Sequence, residues 1–359
     1  MTKAQQPQAS NVQVQPIDPG GVVLPAESAS VDETKFSFIA YGDTRGPADG
    51  YTLQPQHKEV VDRILATIPK QASAGFPVRF VVQSGDAVVN GRFGEQWNVS
   101  FTPLIERLVR ESKVPYFFAV GNHDVGSMPV GNPDRDAGLH NTTTAMSKLW
   151  PANGSPRRLD NYPTFAFGYG RFFFIALDSN IAPDQVQLNW VKKQLEGLDR
   201  RRYPNVIALF HHPPLTTGPH GGPLVEPQAQ AVRRFYLPLF RAHHVRMTIS
   251  GHDHLYDHFI EHYDDAAGAH RMDHVVSGGG GAPIYSYRGE QDLKVYAATA
   301  SPLKVRVEHA MRPGIQEADN PHHFVVIDVD GDRMWLQVIT TVAAPFRPYK
   351  ESRIELTDR

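Results

Sequence analysis

The sequence contains no cysteine, no long apolar run and no excess of charge of one sign. Without cysteine in its 359 residues, the chain forms no disulfide and has no thiolate ligand, so a bound metal must use carboxylate, imidazole, amide or water ligands. No stretch approaches the roughly 18 apolar residues that span a bilayer, and the N-terminus lacks the apolar core of a signal peptide. As written, the chain is expected to be cytoplasmic. A periplasmic or secreted location stays open if Met1 begins a trimmed sequence.

The charge balance gives no reason to expect a polyanionic partner. The chain has 36 basic and 38 acidic residues, for a formal net charge of -2. We therefore expect neither nucleic acid nor a membrane surface as the main partner. With 41% hydrophobic and 21% charged residues, the chain can bury a large core. Its oligomeric state is not indicated.

Short apolar runs alternate with helical patterns from residue 36 onward, which is typical of an α/β fold. The later apolar runs lack long intervening helices, so a second sheet is expected to close the domain. We predict a two-sheet β-sandwich flanked by helices, in one catalytic domain over residues 35–345. Residues 1–34 are predicted to form a flexible N-terminal segment and residues 346–359 a C-terminal segment. The predicted strands are 36–41, 78–82, 116–120, 172–177, 206–210, 245–249, 274–277, 324–329 and 334–339.

Five polar clusters follow directly after predicted strands, at the edge where α/β folds bind their ligands. Any one of them could be an ordinary turn, because glycine and aspartate are common turn residues. Five strand ends that all carry metal-binding side chains are not expected from unrelated turns. The clusters therefore indicate a metal site. They are Gly42-Asp43-Thr44-Arg45, Gly85-Asp86, Gly121-Asn122-His123-Asp124, His211-His212-Pro213-Pro214 and Gly251-His252-Asp253-His254.

In this order the clusters resemble the motifs of the calcineurin-like metallophosphoesterases, D-x-H, GDxVxxG, GNH[DE], H-x-P and GHxH. The sequence has GDAVVNG from Gly85, GNHD from Gly121, HHP from His211 and GHDH from Gly251. The run GHDHLYD and the later glycine run at 278–281 look most like the purple acid phosphatase branch. The class III cyclic-nucleotide phosphodiesterases share the same motif set. The resemblance covers about residues 36–258.

The resemblance implies a site with two divalent or trivalent metal ions, Mn, Zn or Fe. A metal-bridging hydroxide would attack phosphorus in line, and the substrate would be a small-molecule phosphate ester. Asp86 would bridge the two ions. Asp43 and His254 would bind the first metal, whereas Asn122, His211 and His252 would bind the second; His212 is not expected to be a ligand.

His123 and Asp124 are the catalytic pair that the resemblance implies. His123 would lie over the substrate as general acid or as a stabiliser of the transition state. Asp124 would hold the His123 imidazole in the required orientation.

Arg45 departs from the first motif, because the family has histidine at this position. A guanidinium stays protonated and cannot ligate a metal. Purple acid phosphatases also lack this histidine but have a tyrosine three residues after the bridging aspartate, where this chain has Val89. The first metal is therefore expected to bind weakly. Arg45 is interpreted either as a phosphate-binding catalytic residue or as a surface loop residue.

Substrate preference is expected to depend on loops. The longest polar insert covers residues 126–161 and contains His140, and a second loop contains His220; each histidine is either a substrate contact or merely solvated. The three consecutive residues Phe172, Phe173 and Phe174 are predicted to be core.

Two questions stay open from the sequence. Phosphomonoesters and phosphodiesters use the same metal ligands, so the preference between them is not indicated. A degenerate family member that acts as a non-catalytic binding or scaffold protein is the alternative to an enzyme. The intact GNHD motif argues against a scaffold, because a scaffold needs no His123.

Overall fold

The computed structural model describes residues 12–46, 49–150, 157–222, 225–299, 305–343 and 353–356. The strands are β1 (Lys35–Tyr41), β2 (Val78–Gln83), β3 (Tyr116–Phe118), β4 (Arg157–Arg158), β5 (Phe165–Tyr169), β6 (Phe172–Ala176), β7 (Asn205–Leu209), β8 (Met247–Ser250), β9 (Tyr256–Asp265), β10 (Gly268–Ser277), β11 (Arg306–Met311), β12 (His323–Asp330), β13 (Arg333–Thr340) and β14 (Ile354–Glu355). The α-helices are α1 (Pro55–Ser73), α2 (Gly94–Gln96), α3 (Thr102–Ser112), α4 (Asn122–Val125), α5 (Pro133–Met146), α6 (Gln185–Glu196), α7 (Pro227–Ala231), α8 (Leu237–Ala242) and α9 (Gln291–Thr299).

The strands form two mixed sheets. The six-stranded sheet has the order β14-β13-β12-β1-β2-β3, and the eight-stranded sheet has the order β11-β9-β10-β8-β7-β6-β5-β4. Strands β1, β2 and β3 are parallel, as are β6, β7 and β8. The carboxyl ends of these strands therefore meet at one edge of the domain. The predicted two-sheet α/β architecture is confirmed.

Aromatic side chains fill the space between the two sheets. Phe38 of β1 stacks on Phe80 of β2 at 5.4 Å, and both contact Phe174 of β6 edge-on. Because successive strand residues point to opposite faces, Phe172 and Phe174 belong to this inner core while Phe173 packs in the outer core. All three are fully buried, which confirms them as core residues.

Helices cover the outer face of each sheet. Val60, Val61 and Ile64 of α1 and Leu104 and Leu108 of α3 pack on the six-stranded sheet. Helices α6 and α8 belong to the corresponding core on the eight-stranded sheet. Within the described residues, no helix is both long and apolar enough to cross a bilayer.

Both ends of the described chain pack on the domain. In the segment predicted to be flexible, Val14, Ile17 and Leu24 are buried. In the predicted C-terminal segment, Ile354 and Glu355 pair with β13. The described parts of both terminal segments are thus packed on the domain between them, while the domain boundaries stay predictions.

His57 on α1 is a buried histidine that should make the stability of the fold depend on pH. It is fully buried, with Nε2 3.2 Å from the Tyr41 hydroxyl, and burial lowers the pKa of His57 to about 3. In the unfolded chain the imidazole takes up a proton near pH 6.5, whereas in the fold it stays neutral to a much lower pH. Acid therefore favours the unfolded chain. As the pH falls from about 6.5 towards 3, protonation of His57 in the unfolded chain should lower the free energy of unfolding by about 1.4 kcal/mol per pH unit.

Denaturant unfolding of the chelator-treated protein at several pH values measures this slope. His57→Phe should unfold with a shallower pH dependence by that amount, because phenylalanine does not titrate. Parallel slopes for parent and variant would show that His57 is not held neutral in the fold.

Candidate metal centre

The five predicted clusters meet at the carboxyl edge of the two sheets. Asp43 follows β1, Asp86 follows β2 and Asn122 opens α4 after β3, all from the six-stranded sheet. His211 follows β7 and the His252–His254 loop follows β8, from the eight-stranded sheet. The side chains therefore reach one place from opposite sheets.

Three of these residues have strained backbones. Asp43, Asp86 and His252 have φ values of 60°, 58° and 70°, in the left-handed region that non-glycine residues rarely adopt. Such strain persists where the surrounding structure fixes it, often at functional sites. The nearby Gly251 is required for close approach, because a Cβ there would lie 2.2 Å from Asp43 Oδ2.

The predicted second-metal ligands converge closely. Asn122 Oδ1 lies 3.0 Å from His211 Nε2 and 3.1 Å from His252 Nδ1. The two ring nitrogens lie 3.1 Å apart, and Asp86 Oδ1 is 3.4 Å from His211 Nε2. One carboxylate, one amide oxygen and two imidazole nitrogens thus face a common point. This donor set fits Zn, Mn or Fe.

The predicted first-metal ligands also meet, together with Arg45. His254 Nε2 is 3.6 Å from Asp43 Oδ1. Arg45 Nε lies 3.5 Å from Asp86 Oδ2, and Arg45 Nη2 lies 3.5 Å from His254 Nε2. Arg45 thus points into the site, and its guanidinium lies between two of the residues that would bind the first metal. This half of the centre fits a metal less well than the other half.

The ionisation of the site also favours cation binding. Burial lowers the pKa of His211 to about 4 and that of His254 to about 3, so both imidazoles are neutral near pH 7 and offer a lone pair. Burial beside the Asp86 carboxylate raises the pKa of Asp43. Two buried carboxylates this close are stabilised by cations between them.

His123 and Asp124 are both present, but not as the expected pair. His123 Nδ1 is 2.6 Å from the Val89 carbonyl oxygen, which leaves Nε2 to face the site, 3.9 Å from Asp86 Oδ2. The Asp124 carboxylate accepts the backbone N–H groups of Asp86, Ala87 and Gly121 at 2.7–2.9 Å. Among the described contacts, the Val89 carbonyl therefore orients His123, and Asp124 holds the Asp86 loop.

A polar cavity of about 370 Å³ opens over the centre. His220 lies on its wall, with Nδ1 2.7 Å from Asp253 Oδ1 and its ring 4.2 Å from that of His252. His212 also lines it and has Nδ1 2.8 Å from the Ser179 hydroxyl. His140 instead lines a separate cavity of about 690 Å³ beside α5, so the structure does not bring it to the metal ligands.

Two further cavity residues were not singled out from the sequence. Tyr285 stacks on His254 at 4.2 Å. Glu226 Oε2 lies 2.8 Å from His252 Nε2, and this hydrogen bond lowers the pKa of Glu226. Neither residue belongs to a recognised motif. A glutamate before a proline, as at Glu226, is also common where a helix begins.

A family model described as calcineurin-like phosphoesterase matches residues 37–256. This range covers more than half of the chain and contains every predicted metal ligand. The chain belongs to the calcineurin-like phosphoesterase family. Family membership implies a dinuclear metal site, and the two facing ligand sets are the candidates for it.

Purple acid phosphatases are among the relatives of this chain. Probable purple acid phosphatase 20 of Arabidopsis thaliana is 25% identical over 185 residues, which cover 50% of this chain and 40% of the relative. The chain thus matches less than half the length of that relative.

Two solved structures show the same fold. Purple acid phosphatase PPD1 from yellow lupin has a TM-score of 0.60 at 19% identity, covering 88% of this chain and 53% of that one. A dimetal phosphatase from Danio rerio has a TM-score of 0.53 at 15% identity, covering 90% and 99%.

Proposed function

We propose that this protein hydrolyses phosphate esters of small molecules with a two-metal centre. The observation that carries the proposal is the convergence of Asn122, His211 and His252, whose facing atoms lie 3.0–3.1 Å apart, with Asp86 Oδ1 3.4 Å from His211 Nε2. Asp43 and His254 would complete the first metal site. Metal ions bound here would activate water for attack on phosphorus and neutralise the charge of the phosphoryl group.

The protein side chains would supply binding and proton transfer. Arg45, with 18% of its side chain exposed, faces the cavity beside Asp86 and would bind a phosphate oxygen through its planar fork. His123 Nε2 faces the same cavity and would protonate the leaving oxygen. The Val89 carbonyl would hold the ring, and Asp124 would keep the Asp86 loop in its strained conformation.

The neighbouring polar groups suit an anionic substrate. His220 is half-buried; although burial lowers the pKa of His220, the hydrogen bond and charge of the Asp253 carboxylate raise the pKa above its ordinary value. The raised pKa increases the cationic fraction of this imidazole, and its positive charge on the cavity wall would add to the attraction of a phosphate group. His220 is thus proposed as a substrate contact.

A panel of esters tests the function. The metal-free protein is reconstituted with Mn²⁺ or Zn²⁺ and assayed on nitrophenyl phosphate and bis-nitrophenyl phosphate. Metal-dependent hydrolysis of either ester is expected, and the ratio of the two rates gives the monoester or diester preference. A protein that binds metal but hydrolyses neither ester would favour the scaffold alternative.

Arg45 is expected to control both substrate affinity and the first metal. Arg45→Ala should raise KM about 10- to 100-fold, because a charge-assisted hydrogen bond contributes about 1.5–3 kcal/mol. Arg45→His should in addition bind the first metal more tightly, because it adds an imidazole where the family has one. Steady-state kinetics over a range of metal concentrations measures both effects.

The two variants form a matched pair. Both remove the guanidinium charge from beside Asp86 and His254, and only histidine adds a ligand. The concentration of metal needed for half-maximal activity should therefore be lower for Arg45→His than for Arg45→Ala. Unchanged KM and metal dependence in both variants would assign Arg45 to neither role.

A further inference from the structure

The three histidine ligands differ in what holds their outer ring nitrogen. His211 Nδ1 is 2.9 Å from the Ser84 carbonyl oxygen, and His254 Nδ1 is 2.7 Å from the Pro283 carbonyl oxygen. His252 instead has its outer nitrogen, Nε2, 2.8 Å from Glu226 Oε2. Two ligands are therefore oriented by the backbone, and the third by a charged side chain.

The contact with Glu226 determines which nitrogen of His252 carries the proton. A carboxylate only accepts hydrogen bonds, and a neutral imidazole has one N–H and one lone pair. The proton therefore lies on Nε2, and the lone pair lies on Nδ1. Nδ1 is the atom 3.1 Å from both Asn122 Oδ1 and His211 Nε2. The required tautomer and the metal-facing direction thus agree.

We propose that Glu226 is a positioning residue of the second metal site, which binds no metal itself but holds His252 in the ligating tautomer and orientation. A carboxylate in this place also makes the imidazole a stronger donor, and the loss of such a partner typically costs 10- to 100-fold in metal affinity or activity. The inference rests on the proposed metal centre.

The surroundings of Glu226 argue against a purely structural role. Glu226 is the residue before α7, yet its side chain makes no capping hydrogen bond to that helix. Its carboxylate instead lines the cavity, with Oε1 3.9 Å from His220 Nε2. Glu226 therefore faces two imidazoles of the site rather than the start of its own helix.

Zinc titration of the metal-free protein tests the assignment, with chelator competition to give the dissociation constant of the tighter site. Glu226→Ala should weaken that site about 10- to 100-fold. Glu226→Gln should weaken it less, because its amide oxygen still accepts from Nε2 without supplying the charge. Glu196→Ala, at an exposed position of α6, is the matched control and should bind zinc like the parent.

Thermal unfolding of the metal-free proteins separates positioning from folding. Parent and Glu226→Ala should unfold at the same temperature without zinc and at different temperatures with it. Unchanged zinc affinity in Glu226→Ala would overturn this inference alone. A parent protein that binds no zinc would overturn the proposed function together with it.

Discussion

Asp86→Asn is expected to abolish metal binding and turnover together. Asp86 lies between the two ligand sets, with Oδ1 3.4 Å from His211 Nε2 and Oδ2 3.5 Å from Arg45 Nε. A carboxylate can bridge two ions, whereas a neutral amide has one oxygen ligand and no charge. The loss of activity should exceed the 10- to 100-fold typical of a residue outside the ligand set.

Metal content per chain and hydrolysis rate measure this prediction in the same samples. Asn has nearly the shape of Asp and can still accept the His123 backbone N–H, which is 2.9 Å from Oδ1, so the loop should keep its conformation. Asp199→Asn, at an exposed turn, is the control and should retain both metal and activity. Full metal content in Asp86→Asn would show that Asp86 does not bridge.

His123→Ala is expected to separate proton transfer from metal binding. Nδ1 of His123 faces the Val89 carbonyl and Nε2 faces the cavity, so the ring is placed to protonate a leaving oxygen without ligating a metal. Loss of a general acid costs about 100- to 10,000-fold. The full loss should occur with alkyl phosphates, whose alkoxide leaving groups need a proton. Nitrophenyl phosphates should lose less.

Single-turnover rates on the two ester classes, with metal content measured alongside, test this role. His262→Ala, at a half-buried position of β9, serves as the histidine control. If both ester classes lose the same factor while the metals stay bound, His123 stabilises transition-state charge rather than transferring a proton.

The positions of the ligands could be predicted from sequence because strand ends are predictable. Short apolar runs mark β1, β2, β3, β7 and β8, and parallel strands place their carboxyl ends at one edge. The side chains that follow must then lie near one another. The family motifs added the pairing of each ligand with a metal, which spacing alone did not indicate.

Strands β9 and β10 show why part of the fold was not predicted. They are long, but only 274–277 was predicted as strand, because buried charged residues interrupt the apolar pattern. These residues pair with each other inside the sheet: His258 Nε2 is 2.6 Å from Asp273 Oδ1, and His274 Nε2 is 3.4 Å from Glu261 Oε2. Buried polar groups need hydrogen-bond partners, and here the partners come from the neighbouring strand. The sequence of one strand therefore does not show that its polar residues can be buried.

Helix α5 was missed for a different reason. The sequence PDRDAGLHNTTTAM has no apolar stripe and was interpreted as a polar insert. The helix begins at an Asn132 cap, whose side chain accepts the Asp134 and Arg135 backbone N–H groups. Arg135 of this helix forms a buried ion pair with Asp178, which follows β6. Tertiary contacts of this kind replace the amphipathic pattern that prediction relies on.

The roles of Asp124 and Glu226 could not be separated by motif. Both are carboxylates near a histidine of the site, but Asp124 binds three backbone N–H groups and Glu226 binds His252. Asp124 is next to His123 in sequence, and Glu226 is 26 residues from His252. Asp124 thus contacts the backbone although it is next to a histidine, and Glu226 contacts an imidazole from far along the chain, because side-chain direction and not chain distance decides the contact.

Anomalous diffraction from crystals soaked in Mn²⁺ or Zn²⁺ would locate the two proposed metal ions directly. We expect a strong peak bounded by Asp86, Asn122, His211 and His252, and a weaker peak bounded by Asp86, Asp43 and His254. The two peaks should lie about 3.5–4 Å apart, with the Arg45 guanidinium moved away from the weaker one. Crystals that show no anomalous peak beside Asp86 at saturating metal would show that these residues do not form a metal centre.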